Sequence, residues 1–181
     1  MLLNALTSES NLPSTKTKMT LLVLCTGNSA RSIMAEALFN SLGAQWFKAY
    51  SAGSKPTGRV NPLAIEQVQV LNLSPEYQFS SQSWHHYTRP NAPAIDLVLT
   101  VCSNAENEQC PVFLGNYKRV HWGFADPAGS SPDLEIERQA FARCFAAIHS
   151  RVQALVSQLN SSSTTDEVYQ IMKAIENEGK H

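Results

Sequence analysis

The 181-residue chain sets 14 Lys+Arg against 15 Asp+Glu, and its formal net charge of −1 gives no basic field for nucleic acid or an anionic membrane. Apolar residues at 43% and charged residues at 16% exclude a wholly disordered chain. A chain this long buries roughly 70% of its unfolded surface and needs no disulfide or metal staple, while a local site for a phosphate-sized anion stays compatible with the charge balance.

Residues 1–18 lack the charged start and apolar stretch of a signal peptide and read as a flexible extension. Met19 stands immediately before the first strand-like run, so translation from Met19 is a second reading of the start. No apolar run approaches the roughly 20 residues of a membrane span. The four cysteines, Cys25, Cys102, Cys110 and Cys144, are too few and too scattered for a secreted disulfide scaffold. A cytoplasmic protein with reduced thiols is expected.

Thr20 to Leu24 is a nearly continuous apolar run, suited to a strand buried on both faces. Ile33, Met34, Ala37, Leu38 and Leu42 follow at helical spacing, and Gly43 is placed to cap that helix. Trp46 to Ser51 alternates and runs into Ala52 and Gly53 as a second strand, and Pro62 opens a helix carrying Ala64, Ile65, Val68 and Leu71. Ile95 to Val101 is the clearest strand, and Arg119 to Trp122 makes a short fourth. Ser131 is the expected cap of a long helix with Pro132 as its first residue. Phe141, Phe145, Ile148, Val152, Leu155 and Leu159 form its apolar stripe.

This alternation predicts one doubly wound α/β domain over residues 19–159: a four-stranded parallel sheet, helices on both faces, and a phosphate-binding loop after the first strand. Residues 160–181 read as a polar linker and a short amphipathic helix, introduced by the capping box of Thr164 and Glu167. A helix of that length is marginal alone, so it docks or frays.

The most informative segment is Cys25-Thr-Gly-Asn-Ser-Ala-Arg31-Ser32, which leaves a buried strand and enters a helix. Backbone N–H groups of Thr26, Gly27, Asn28, Ser29, Ala30 and Arg31, with the positive end of the helix, make a cradle for a tetrahedral oxyanion. Gly27 permits the required twist, and Asn28 suits a left-handed position or braces the loop by its amide. Arg31 offers a planar fork to two oxyanion oxygens. The same positive field is expected to lower the Cys25 pKa, and Ser32 to donate a hydrogen bond to that sulfur. The plainer alternative is a buried apolar cysteine ending a strand.

With Leu22-Val-Leu-Cys-Thr-Gly-Asn-Ser-Ala-Arg-Ser-Ile-Met-Ala-Glu-Ala37, the chain resembles the low-molecular-weight protein tyrosine phosphatase superfamily, and within it the arsenate reductase branch. Tyr50-Ser-Ala-Gly53, Val101-Cys-Ser-Asn-Ala-Glu-Asn-Glu-Gln-Cys-Pro111 and His121-Trp-Gly-Phe-Ala-Asp-Pro-Ala128 carry the same likeness, which covers roughly residues 20 to 158. The resemblance implies reduction of arsenate to arsenite through a redox relay. In it Cys25 is arsenylated, Cys102 attacks to expel arsenite, and Cys110 moves the disulfide outward for a reductant. No bound cofactor and no metal are implied, only an external thiol, either glutathione with glutaredoxin or thioredoxin. A monomer acting on arsenate or a phosphate-like oxyanion is expected.

Cys102 ends the third strand, at the ligand-binding edge of such a sheet, so the Cys25 and Cys102 sulfurs can approach there. Alternatives remain for each thiol: Cys102 as a buried strand-end thiol, Cys110 as an idle loop thiol, or zinc bound by Cys102, Cys110 and His121, whose spacing fits no compact zinc pattern. Cys144 reads as packing. Asp126 lies before Pro127 in a loop, where a carboxylic acid over the pocket can protonate a departing oxygen. The family pattern also places the general acid there, and the plainer role is turn capping. Asn28, Glu36 and Ser51 match positions that help hold a monovalent cation in some relatives, but the carboxylate expected near Trp84 is absent, so no ion is expected.

Two departures favour an external thiol, glutathione with glutaredoxin, that resolves the arsenylated Cys25 directly, as a mixed disulfide, in place of the internal relay. Ala30 replaces a further cysteine carried by several relatives, and the loop between Cys102 and Cys110 is one residue longer than in thioredoxin-coupled relatives. Competing functions are a phosphatase using Cys25, Arg31 and Asp126, disfavoured by Ala128 after the Asp-Pro pair, and a non-catalytic oxyanion-binding module, which needs neither Cys25 nor Asp126.

Overall fold

The computed structural model describes residues 16–179. The expected extension over 1–18 therefore lies almost wholly outside the described residues. Four strands, β1 (Met19–Cys25), β2 (Phe47–Gly53), β3 (Leu97–Thr100) and β4 (Lys118–His121), form one parallel sheet in the order β2-β1-β3-β4. Between them run α1 (Arg31–Ser41), α2 (Pro62–Val68), a 3-10 turn (Trp84–Thr88) and α3 (Ser103–Asn107). Two helices, α4 (Leu134–Val156) and α5 (Thr165–Glu178), follow the sheet.

The apolar run of β1 is buried on both faces because the strand is central. Leu21, Val23 and Cys25 enter one apolar cluster, and Leu22 and Leu24 the other. The first cluster takes the apolar sides of α1, α2, α4 and α5, with Phe39 edge-on to Phe47 at 5.1 Å and stacked on Trp122 at 6.0 Å between ring centroids. The second is closed by the 3-10 turn, through Trp84 and Tyr87, and by Phe113.

Two helix ends differ from the sequence reading. Asp133, not Ser131, caps α4: its carboxylate accepts from the Glu135 and Ile136 N–H groups, while Ser131 Oγ accepts from Asp133 N in the turn before. A carboxylate is the stronger acceptor at a helix N-terminus, so the helix starts two residues later than Pro132. Gly43 lies just past α1 without a positive φ, so it is no left-handed cap. A Cβ there would lie 2.8 Å from both the Phe39 carbonyl oxygen and Phe47 Cδ2, so what requires glycine is close packing.

Helix α5 is docked. Its capping box is present as expected, and Val168, Met172 and Ile175 are buried against β4 and α4. Each such burial contributes about 1.5–3 kcal/mol. Trp122 Nε1 donates to the Met172 carbonyl at 3.0 Å, His121 N donates to Glu176 Oε2 at 3.2 Å, and Lys118 pairs with Asp166. Among the described residues, no helix is long and apolar enough to cross a membrane.

The packing role of Gly43 gives a first prediction. Gly43→Asn, harmless at a left-handed cap, should here destabilise by about 1–3 kcal/mol through overpacking. Chemical denaturation would check it, and an unchanged midpoint would restore the capping role.

Candidate active site

Residues 26–30 join the end of β1 to the start of α1, and the loop's shape is fixed from outside. Thr26, Gly27 and Ser29 carbonyls accept from the N–H groups of Lys55, Thr57 and Asn61 at 2.9–3.0 Å. The left-handed position falls on Asn28, φ 46°, and not on Gly27. Asparagine tolerates that conformation, and its buried amide repays it: Nδ2 donates to Ser32 Oγ and Ser51 Oγ, each at 2.9 Å, and Oδ1 accepts from Gln82 N at 2.8 Å. Ser32, expected to donate to the Cys25 sulfur, accepts from Asn28 through Oγ, which leaves its own proton to donate. Ala30 precedes α1 with no side-chain cap, which leaves the first-turn N–H groups for a ligand.

A polar chain backs the loop. Ser51 Oγ and the Tyr77 hydroxyl both donate to the Glu36 carboxylate, and Asn40 Nδ2 donates to the Tyr77 oxygen at 2.9 Å. Burial pushes the Glu36 pKa up, against the pull of those hydrogen bonds. Tyr77 and Gln82 carried no motif in the sequence, since their role comes only from packing across the β2 edge.

The two strand-end sulfurs meet. Cys25 and Cys102 come side by side at the ends of β1 and β3, and each is the largest influence on the other's ionisation. The Gly27 backbone favours the Cys25 thiolate, and the Ala105 and Thr26 backbones favour that of Cys102. Cys25 is pushed up, first by Cys102 and then by burial, against the pull of Arg31; this reverses the lowered pKa expected from its loop. Cys102 is pulled down to about 5, chiefly by Cys25. One proton and one negative charge thus serve both sulfurs, and the charge favours Cys102 at the N-terminus of α3. Thr26 Oγ1 lies 3.7 Å from Cys102 Sγ and donates to Glu108 Oε1 at 3.4 Å, a carboxylate that the sequence reading did not single out.

Arg31 turns its fork toward the loop that follows β4. Nη1 donates to the Phe124 carbonyl at 2.9 Å, and Nη2 lies 3.0 Å from Asp126 Oδ2. Arg31 Nε is buried and meets no acceptor among the described residues, a donor without a partner at the mouth of an N–H cradle. Asp126 Oδ1 also accepts from Ala128 N, so the turn-capping contact coexists with the Arg31 pair. A cavity of about 340 Å³ adjoins Asp126, lined by Phe124, Pro127, Ala140 and Cys144. Burial pushes Cys144 up to about 11, as suits a packing thiol.

Cys110 is not brought to this group. It packs against the second apolar cluster, and burial pushes its thiol up against the pull of the Arg119 charge. Residues 103–107 between it and Cys102 form α3, anchored by buried Ala105, in the stretch that the sequence reads as a loop. His121 is engaged elsewhere, with Nδ1 2.8 Å from Thr100 Oγ1 and Nε2 3.3 Å from Glu106 Oε2. Among the described residues no group of three or more His, Cys, Asp or Glu is placed to hold a metal ion.

Residues 20–165 match the family model of the low molecular weight phosphotyrosine protein phosphatases. An arsenate reductase 2 of Staphylococcus saprophyticus is 44% identical over 115 residues, 63% of this chain and 82% of that one. An arsenate reductase of Staphylococcus aureus is 39% identical over 112 residues, 62% and 81% of the two chains. The crystal structure of an arsenate reductase from Archaeoglobus fulgidus is 28% identical with a TM-score of 0.56, covering 76% of this chain and 99% of that one. A low molecular weight phosphotyrosine phosphatase from Vibrio cholerae shares the fold, with a TM-score of 0.59 at 21% identity, over 81% and 99%.

The shared proton predicts a titration. Thiolate absorbance should show one thiol per chain ionising near pH 5, and Cys25→Ala should move that step upward because it removes the largest stabiliser of the Cys102 anion. A step that Cys25→Ala leaves in place would refute the pairing.

Proposed function

Because the chain belongs to the low molecular weight phosphotyrosine protein phosphatase family, we propose that it is an enzyme that reduces arsenate to arsenite at Cys25. The observation that carries this reading is the register that ends β1 and β3 together and buries Cys25 and Cys102 in one cluster, each acting on the other's ionisation. Phosphoester hydrolysis needs one nucleophilic sulfur. A two-electron reduction needs a second thiol, and here one stands beside the first.

In the proposed cycle the oxyanion displaces Asp126 from the Arg31 fork and takes up the unpartnered Nε together with the loop N–H groups of residues 26–31. The Cys102 anion accepts the Cys25 proton, leaving the nucleophile as thiolate. Asp126, once released from Arg31, takes a proton from solvent; the Cys25 sulfur forms a bond to arsenic while one arsenic–oxygen bond breaks, and the departing oxygen leaves as water with that proton. Cys102 returns its proton through water to the Asp126 carboxylate and, as thiolate, attacks the Cys25 sulfur. A disulfide forms, the sulfur–arsenic electron pair stays on arsenic, and arsenic departs as arsenite, reduced by two electrons.

The seat of Cys110 supports an external thiol, glutathione with glutaredoxin or thioredoxin, as the reductant of the Cys25–Cys102 disulfide. Cys110 as carrier of an outward disulfide would require α3 to open. Phosphomonoester hydrolysis by Cys25, Arg31 and Asp126 alone is the side activity this geometry supports.

Arsenite production, assayed with thioredoxin and with glutathione plus glutaredoxin beside a phosphoester control, tests the reading. Cys25→Ser and Arg31→Lys should both fail in every assay. Survival of more than about a tenth of turnover in Cys25→Ser, about 1.4 kcal/mol of barrier, would overturn the nucleophile assignment. Cys102→Ser should lose reduction, most severely with thioredoxin, and keep phosphoester hydrolysis. Intact-mass analysis after one turnover without reductant should find the disulfide between Cys25 and Cys102, and a Cys102–Cys110 disulfide in most molecules would favour the three-cysteine relay.

Asp126→Asn separates acid from turn cap. It should lower turnover by about 10²- to 10⁴-fold. Phosphate affinity should hold or improve, because a negative charge competing for Arg31 is gone. Intact turnover would return Asp126 to turn capping.

A further inference from the structure

The segment that carries Asp126 belongs to no helix or strand, yet it must hold a carboxyl group against Arg31 with little tolerance. On its inner side Arg31 grips the Phe124 carbonyl and Asp126. On its outer side the Phe124 ring carries the guanidinium of Arg151, from α4, with its central carbon 4.6 Å from the ring centroid. Arg151 is itself seated by α5. A Cβ at Gly179, the residue that ends α5, would lie 2.4 Å from Arg151 Nη2. The charge of Glu176 acts on the same guanidinium, and Glu176 Oε2 also receives the His121 N–H at the end of β4. Helix α5 begins at residue 165, where the match to the family model stops.

We propose that Arg151 is a positioning residue of the active site and that α5 seats it, so that the acid-bearing loop is set by the C-terminal helix. The ring of Phe124 transmits the contact. A cation over its face fixes the ring, and the ring fixes Phe124, whose carbonyl accepts from Arg31 and which stands two residues before Asp126. Burial disfavours a guanidinium at this position, and the aromatic face and Glu176 offset that cost. The proposal rests on Asp126 as the proton donor.

Three full-length variants test it. Arg151→Met keeps the apolar stem and removes the cation, Arg151→Lys restores a cation, and Gly179→Ala adds a methyl against Arg151 Nη2 at a right-handed backbone position, φ −76°, that alanine accepts. Arg151→Met should lower kcat by about ten- to a hundredfold with KM and phosphate affinity little changed, as expected for a misplaced catalytic group. Arg151→Lys should recover most of the loss. Gly179→Ala should move kcat the same way with Tm unchanged, which keeps the test alive if Arg151→Met fails to fold. In an Asp126→Asn background Arg151→Met should cost nothing further, because both act on one step. An equal loss in that background, or wild-type kcat in both Arg151→Met and Gly179→Ala, would overturn the proposal. A failure of Asp126→Asn itself to lower turnover would instead strike the reading on which the proposal rests.

Discussion

The site depends on the parallel register of β1 and β3. Leu24 lies opposite Thr100, so the two strands end together and release Cys25 and Cys102 at the same edge. Both sulfurs then enter the first apolar cluster, with the N-termini of α1 and α3 above them. A slip of one residue would turn Cys25 to the opposite face and part the pair. The register is secured because β1 is buried on both sides, which makes any such slip costly. The neighbouring β3–β4 register likewise carries Phe124 and Asp126 to within reach of Arg31.

A second constraint is polar. Asn28 is buried in a conformation that most residues avoid, and three hydrogen bonds from its amide hold it there. Each is worth about 1 kcal/mol net, and each would cost more if left unmade in that interior. The chain continues through Ser51 to Glu36 and Tyr77, so the loop's shape is tied to groups well outside it. Rigidity of this kind suits a cradle whose N–H groups must be aimed before a ligand arrives.

Much of this was legible in the sequence because its causes are local. The two-sided apolar run of β1, the capping box of Thr164 and Glu167, and the cysteine-to-arginine loop each announce themselves within a few residues. What local pattern could not give was which atoms meet across the fold. The left-handed seat of Asn28 was legible in the loop, but the remote Ser51 and Gln82 that hold its amide were not. The Cys25 pKa moves opposite to the loop's own field because a second sulfur arrives from β3. Cys110 sits with Arg119 on the far side of the sheet, although only seven residues separate it from Cys102 in the chain. Tyr77 and Arg151 lie in stretches without any motif and matter only through their neighbours.

The shared proton of Cys25 and Cys102 has a consequence for product release. Two soft sulfurs in contact are a chelating pair for any thiophilic cation, trivalent arsenic included. A reduced site would therefore retain its own product. In the proposed cycle the attack that frees arsenite also joins the two sulfurs, so the product departs from a site that has lost its capacity to chelate. Reduction by an external thiol then restores the dithiol after arsenite has diffused away. Proximity of the sulfurs sets the order of events as well as the chemistry.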